Sequence, residues 1–143
     1  MHTSKQLEAA VPLLRSYMHP LQLYAVLDGC CYGEEKEAFI AKLCEMADLI
    51  RNAPKTYEQD GLGDEAIAYL HYFKNGCDWY ITELDIESEQ LQAFGLADLG
   101  GGGELGYISI VELLENEVEL DLYFEPTPIK DMPKLYDQGW AIP

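Results

Sequence analysis

Between Lys74 and Lys130 the chain has no lysine or arginine, yet apolar and polar residues alternate there as they do in a β-sheet. The stretch carries thirteen acids. They are Asp78, Glu83, Asp85, Glu87, Glu89, Asp98, Glu104, Glu112, Glu115, Glu117, Glu119, Asp121 and Glu125. Acidic segments are usually disordered because they lack apolar residues, and this one does not lack them. We therefore expect a folded sheet that holds its negative charge on a rigid surface.

The charge of the whole chain restricts the classes of partner. Its 143 residues include 26 acids and 9 Lys or Arg, a formal net charge of -17. Affinity for phosphate backbones and for anionic membrane surfaces comes from Lys and Arg, so direct binding to nucleic acid or to such a membrane is disfavoured. Long-range attraction favours a basic partner instead. The alternative is that the charge only keeps the protein soluble.

The length of the chain predicts one domain over residues 1–143, with a helical part at 1–54 and a sheet part at 56–132. Its four cysteines form no C-x-x-C pair, which favours reduced thiols in the cytoplasm. We expect neither a signal peptide nor a membrane span, because no cationic segment leads into a long apolar run.

The first part of the chain has the apolar spacing of helices. Residues 3–18 and 35–52 each carry an apolar stripe with a period near four. Pro12 conflicts with a straight first helix, so this helix either kinks there or begins near Val11. Residues 20–33 are apolar but ambiguous.

From Ile67 onward the period changes to two, which predicts strands. Asn75-Gly76 is a hairpin turn signal, and Ser109 with Glu112 predicts a capped short helix. The predicted strands cover residues 67–73, 77–86, 92–99, 104–108 and 118–124. This order predicts an α+β fold, in which N-terminal helices pack on a mainly antiparallel sheet of about four to five strands.

Between Thr56 and Met132 the chain contains, in order, TYEQDGLGDEAIAYLHYF, GCDWYITELD, LQAFGLADLG, GELGYISIVELLE and ELDLYFEPTPI. In this order and spacing these stretches resemble the domain of unknown function 2958 family. Members are typically encoded on bacterial plasmids, integrative elements and related mobile DNA. The resemblance implies a cytoplasmic protein that helps a mobile element live in, or defend itself against, a bacterial host. It carries over no catalytic residues, and members often keep some basic residues where this chain is purely acidic.

Two predicted strands place carboxylates in rows on one face. The hairpin row is Glu83, Asp85 and Glu87, and the last-strand row is Glu117, Glu119 and Asp121. Side chains two apart on one strand face lie about 6.5 Å from each other. Their repulsion in water is below about 1 kcal/mol per pair, so the fold can bear it. A surface under no constraint on charge would more often include lysines on such a face.

The rows predict a non-enzymatic inhibitor that mimics nucleic acid. Duplex DNA presents a negative charge about every 1.7 Å, and a folded carboxylate surface could occupy a basic channel built for it. The predicted partner-binding residues are Glu83, Asp85, Glu87, Glu89, Glu117, Glu119, Asp121 and Trp79. The expected partner is a basic nucleic-acid-binding defence protein of the host, such as a CRISPR surveillance complex or a restriction enzyme. A homodimer stays open.

Two other functions compete with mimicry. One is an accessory scaffold in plasmid or integrative-element maintenance or transfer, which would bind protein without imitating nucleic acid. The other is an enzyme built on His71 and Cys77, which lie across the predicted hairpin. We predict no catalytic, cofactor-binding or metal-binding residue. The glycine run 100–103 lacks the lysine of a phosphate loop, and residues 60–64 favour a turn over a Ca²⁺ loop.

Overall fold

The computed structural model describes residues 4–32, 34–55, 57–85 and 92–132. Its first part consists of three helices, α1 Ser4–Leu14, α2 Pro20–Tyr32 and α3 Lys36–Asn52. α1 and α2 both pack on α3. The two helices predicted from apolar spacing are confirmed, and the ambiguous apolar segment is also a helix. No helix of the described residues is long and apolar enough to cross a membrane.

Pro12 lies inside α1 rather than at its start. The helix begins at Ser4, so a start near Val11 is wrong. It ends two residues after the proline, and a turn follows in which the Arg15 N–H donates to the Val11 carbonyl at 3.0 Å. The proline is thus tolerated near the C-terminal end, where few further backbone hydrogen bonds are at stake.

The second part of the chain forms antiparallel strands. They are β1 Ile67–Ala68, β2 Leu70–Lys74, β3 Cys77–Leu84, β4 Gln92–Asp98, β5 Gly103–Ser109, β6 Glu119–Leu120 and β7 Thr127–Pro128. Five of them make one sheet in the order β5-β4-β3-β2-β6, and β1 pairs with β7 in a second, two-stranded sheet. The predicted α+β fold is confirmed.

Two hairpin connections follow from residues that tolerate a positive φ. Asn75 and Gly76, between β2 and β3, have φ values of 49° and 83°. This is the conformation of a two-residue hairpin turn. Between β4 and β5, Gly100 and Gly102 have φ values of 104° and 110°. The glycine run is therefore a hairpin connection, as its sequence favours.

The sheet has a different core on each face. Leu70, Tyr72 and Ile81 are buried on the face that packs against the helices, in a cluster that also contains Leu14 and Leu43. The Tyr72 hydroxyl donates to the carbonyl of Tyr17 at 2.6 Å, which ties the sheet to the chain after α1. The opposite face has a smaller core of Ala68, Tyr80, Leu96, Ile129 and Met132, against which Phe124 packs.

A bulge interrupts the pairing of β3 with β4. The register shifts between Ile81 and Glu83, so strict alternation of faces stops there. Gly95 lies opposite this point, and a Cβ at Gly95 would lie only 1.9 Å from the Tyr80 carbonyl oxygen. The close approach of the two backbones requires glycine.

Candidate partner-binding surface

The first residue of the hairpin row faces inward. Glu83 is only 5% exposed, and its two carboxylate oxygens accept hydrogen bonds from the backbone N–H groups of Tyr57 at 2.6 Å and Gln59 at 3.2 Å. The prediction that Glu83 lies on an outward row is wrong, because the loop before β1 covers this face of β3 and its N–H groups bind the carboxylate. Glu83 instead anchors the loop that precedes β1.

The other predicted residues of β3 give no outward row either. Asp85 is half-buried, and its N–H donates to the Gln92 carbonyl at 2.9 Å. Glu87 and Glu89 lie outside the described residues. Trp79, predicted as a partner-binding residue, is half-buried and packs against the core on the helix face.

The last-strand row divides into residues with different surroundings. The last strand predicted over 118–124 is present but much shorter, since β6 consists of Glu119 and Leu120 alone. Glu117 lies in the turn before it, and both Glu117 and Glu119 are exposed. Asp121 turns inward, where its Oδ2 lies 3.0 Å from Nδ1 of His71. Its Oδ1 accepts the N–H of Tyr123 at 2.9 Å, a local bond that competes with strand pairing.

His71 lies between two carboxylates. Its Nε2 is 2.7 Å from Oδ1 of Asp78, its Nδ1 contacts Asp121, and its ring stacks on Tyr80 at 4.6 Å. Each ring nitrogen is thus engaged in a hydrogen bond with a carboxyl group. Neither ring nitrogen is left to act as a base while both contacts hold. Cys77 pairs with Lys74 and lies on the opposite face of β3 from Asp78, so no Cys-His pair is assembled.

A buried acid lies beside this histidine. Asp98 pairs with Asp78 across β3 and β4 and is fully buried. Its Oδ1 accepts the N–H of Gly100 at 3.0 Å, and its Oδ2 has no hydrogen-bond partner in the described part of the chain. Burial, together with the nearby Asp78, Asp98 and Asp121, raises the pKa of Tyr80 to about 12. Residues 4–32, 34–55, 57–85 and 92–132 contain no group of three or more His, Cys, Asp or Glu arranged to hold a metal ion.

Four outward carboxylates lie on or shortly after the helix α4, Ile110–Glu115. We call the α4 acidic surface the four exposed residues Glu112, Glu115, Glu117 and Glu119. Within the described ranges, none of the four forms an ion pair with a Lys, Arg or His. Lys74 reaches this region, but its ammonium donates to the backbone carbonyl of Asn116. The charge of the surface is therefore directed to solvent without a paired cation.

The start of α4 is built as its sequence predicts. The Ser109 hydroxyl accepts the N–H of Glu112 at 3.2 Å, which caps the first turn. The buried Ile110 and Leu113 fix the inner face of the helix, so Glu112 and Glu115 point away from the core. Three residues apart on a helix, these two side chains are neighbours.

The end of α4 places acids where a helix disfavours them. The Val118 N–H donates to the Leu113 carbonyl at 3.0 Å and the Glu117 N–H donates to the Leu114 carbonyl at 3.1 Å, which together form a Schellman motif. Glu117 occupies the left-handed position of this motif with a φ of 58°. Glycine is preferred at that position, and cations are preferred near a helix C-terminus. The last turn of α4 contains no basic residue.

The sequence interpretation did not identify Glu112 and Glu115 as part of a surface. It ranked carboxylates by strand alternation and took Glu112 only as a capping residue. The signal that identifies them is their spacing of three on a short helix whose other four residues, at 110, 111, 113 and 114, are apolar.

A comparison with protein families decides the affiliation of the chain. The family described as "Protein of unknown function (DUF2958)" matches residues 41–130, which is more than half of the chain. The chain belongs to the DUF2958 family. The match to DUF2958 begins in α3, upstream of the predicted boundary at residue 56, so α3 and the sheet share it. No curated protein and no solved structure matches the chain.

Proposed function

We propose that this DUF2958 protein is a non-enzymatic inhibitor, which occupies the basic nucleic-acid-binding surface of another protein with its α4 acidic surface. The observation that carries the proposal is the placement of Glu112, Glu115, Glu117 and Glu119. They are exposed on one short helix, in the turn after it and at the first residue of β6, without ion pairs in the described part of the chain. The surface differs from the two predicted rows and keeps only Glu117 and Glu119 of them.

The energetics of α4 support a role for the charge beyond solubility. A non-glycine residue in the left-handed region costs about 1–2 kcal/mol, and an acid at a helix C-terminus costs about 0.3–1 kcal/mol. Solubility could be supplied by acids at positions without these costs. A binding role accounts for acids at this end of α4, because functional residues are often kept at the expense of stability.

The partner class follows from the charge. With a net charge of -17 the chain attracts a cationic surface at long range. The proposed target is a host defence protein that holds DNA or RNA through Lys and Arg, such as a CRISPR surveillance complex or a restriction enzyme. The proposed setting is the cytoplasm of a bacterium that carries a mobile element encoding this protein.

The surroundings of His71 support a non-enzymatic role. Both ring nitrogens contact carboxylates, and Cys77 lies on the other face of the sheet. The one histidine that the sequence offered as a base is thus committed to tying β2 and β3 to the segment after β6.

The test is displacement of labelled DNA or RNA from purified candidate targets, followed by fluorescence anisotropy. The α4 variant carries E112Q, E115Q, E117Q and E119Q. A control variant carries E8Q, E34Q, E35Q and E37Q, which removes the same charge from exposed positions on and before other helices. At about 0.5 kcal/mol per exposed ion pair, the α4 variant should inhibit about thirtyfold less well than the wild type.

The control variant separates a surface from a net charge. It should inhibit within about threefold of the wild type, because it loses the same long-range field as the α4 variant but none of the proposed contacts. If it loses as much inhibition as the α4 variant, the α4 acidic surface is not the binding site. If the protein binds the target with an affinity that does not depend on salt, and the target keeps its nucleic acid, the scaffold function is favoured instead.

A further inference from the structure

A second site lies on the sheet face opposite the helices. The loop before β1 lies beside the ends of β3, β4 and β5 and forms with them an open cavity of about 370 Å³. This volume lies within the range of about 300–1,000 Å³ that is usual for small-molecule sites. The residues that matter for its chemistry are Tyr57, Asp60, Glu83, Phe94, Leu105 and Tyr107. None of them belongs to the α4 acidic surface.

Aromatic rings form the walls of the cavity. Phe94 and Tyr107 are cross-strand partners on β4 and β5, with ring centroids 5.6 Å apart and planes at 83°. Tyr57 enters from the loop, and its side chain hydrogen-bonds Tyr107, which raises the pKa of Tyr107. Tyr57 and Tyr107 are 68% and 65% exposed, so their rings are open to a ligand. Perpendicular rings leave a corner in which a cation can contact the face of an aromatic ring.

Negative charge surrounds these rings. Glu83 lies in the wall, and Asp60 lies on the loop beside it. Both carboxylates are close enough to Tyr107 to raise its pKa further. Among the described residues that line the cavity there is no Lys or Arg. The cavity therefore combines π faces with uncompensated anions, a composition that attracts positive ligands and repels phosphates.

The loop that completes the cavity is held in one conformation. Tyr57 has a φ of 71°, which is rare for an aromatic residue and costs about 1–2 kcal/mol. Glu83 offsets that cost by accepting the N–H groups of Tyr57 and Gln59. The Gln59 side-chain amide donates to the carbonyls of Ile67 and Thr82 at 2.8 and 2.7 Å. Its oxygen accepts the N–H of Ile67 at 2.7 Å. These bonds hold the loop backbone at Tyr57 in place, which reduces the conformational entropy that is lost when a ligand binds.

We propose that this cavity binds an organic cation, an alkylated ammonium or a guanidinium group, against Tyr57, Phe94 and Tyr107 with Asp60 and Glu83 supplying the counter-charge. The cation is carried either by a free small molecule or by a side chain of a basic protein. The site does not depend on the α4 acidic surface, so either proposal can fail without the other.

The test is calorimetric titration of the whole protein with choline and with 3,3-dimethylbutan-1-ol, its neutral isostere. Choline should bind at least about tenfold more tightly than the alcohol, since only the cation gains from the rings and the carboxylates. Equal binding of the two, or no binding of choline at about 10 mM, overturns the proposal. A capped peptide with one trimethyllysine or one arginine supplies the second arm. Tighter binding of the peptide assigns a protein source, and tighter binding of choline assigns a free cation.

Variants locate the binding. Y107L removes a π face at an exposed position and should weaken choline by at least about fivefold, whereas Y107F keeps the ring and should bind within about twofold. D60N removes an exposed charge and should weaken choline by about threefold. The α4 variant should bind choline within about twofold of the wild type at physiological salt. If Y107L and D60N both bind as the wild type does, the site is not this cavity.

Discussion

Replacing Glu117 by glycine should make the protein more stable and less effective as an inhibitor. Glu117 has a φ of 58°, a conformation that destabilises an L-residue by about 1–2 kcal/mol. Glycine removes this strain, but its more flexible unfolded chain offsets about 0.5–1 kcal/mol of the gain. Removal of the exposed carboxylate from the end of α4 adds about 0.3 kcal/mol. The free energy of unfolding should thus rise by about 1 kcal/mol. At about 0.3 kcal/mol per degree for 143 residues, the melting temperature should rise by about 3 °C.

Thermal and urea unfolding, followed by circular dichroism, measure this change. E117Q keeps the Cβ and removes the charge, so it should raise stability by only about 0.3 kcal/mol. E112G places glycine inside α4 and should lower stability by about 1 kcal/mol. The reasoning is refuted if E117G is no more stable than E117Q. If E117G is more stable and still inhibits as the wild type does, the carboxylate of Glu117 does not contribute to inhibition.

Three further predictions concern β3 and β4, each with a control or comparison variant. E83Q leaves one of the two backbone N–H groups bound to Glu83 without its acceptor and should lower stability by about 1.5 kcal/mol, whereas E104Q at an exposed position should change it by less than about 0.5 kcal/mol in urea unfolding. G95A should cost at least about 3 kcal/mol or abolish soluble expression, while G106A, where the added Cβ meets nothing within 4 Å, should stay folded. Because Tyr80 has a pKa of about 12 when folded and 10.0 as its ordinary value, the unfolded chain loses this proton first, and stability should fall as pH rises from about 10 to about 12. The stability of Y80F should fall less steeply over the same pH range, and an identical slope would contradict a raised pKa of Tyr80.

Local patterns predicted most of the fold. The helical stripe of α3, the Asn75-Gly76 turn and the Ser109 cap each depend on residues close together in sequence, and each is found where expected. These features need no knowledge of the tertiary structure, because capping and turn geometry are set by a few neighbouring residues.

The acidic rows could not be predicted because they depend on contacts between distant segments. Glu83 is covered by a loop 24 to 26 residues earlier in the sequence, whose backbone N–H groups donate to its carboxylate. The side chain of Asp121 turns inward and contacts the ring of His71, which lies 50 residues earlier in the sequence. Predictions from strand alternation assume that the strands pair regularly and that carboxylates lie in solvent. The bulge in β3 violates the first assumption, and buried hydrogen-bond donors near Glu83 and Asp121 violate the second.

The most direct test of the α4 acidic surface is the salt dependence of inhibition for one purified target. The inhibition constant would be measured at about 50 and 200 mM salt for the wild type, the control variant and the α4 variant. We predict that inhibition by the wild type and by the control weakens steeply as salt rises, and that inhibition by the α4 variant is weak and changes little. Equal salt dependence for all three proteins would show that Glu112, Glu115, Glu117 and Glu119 do not contact the target, and would contradict the account.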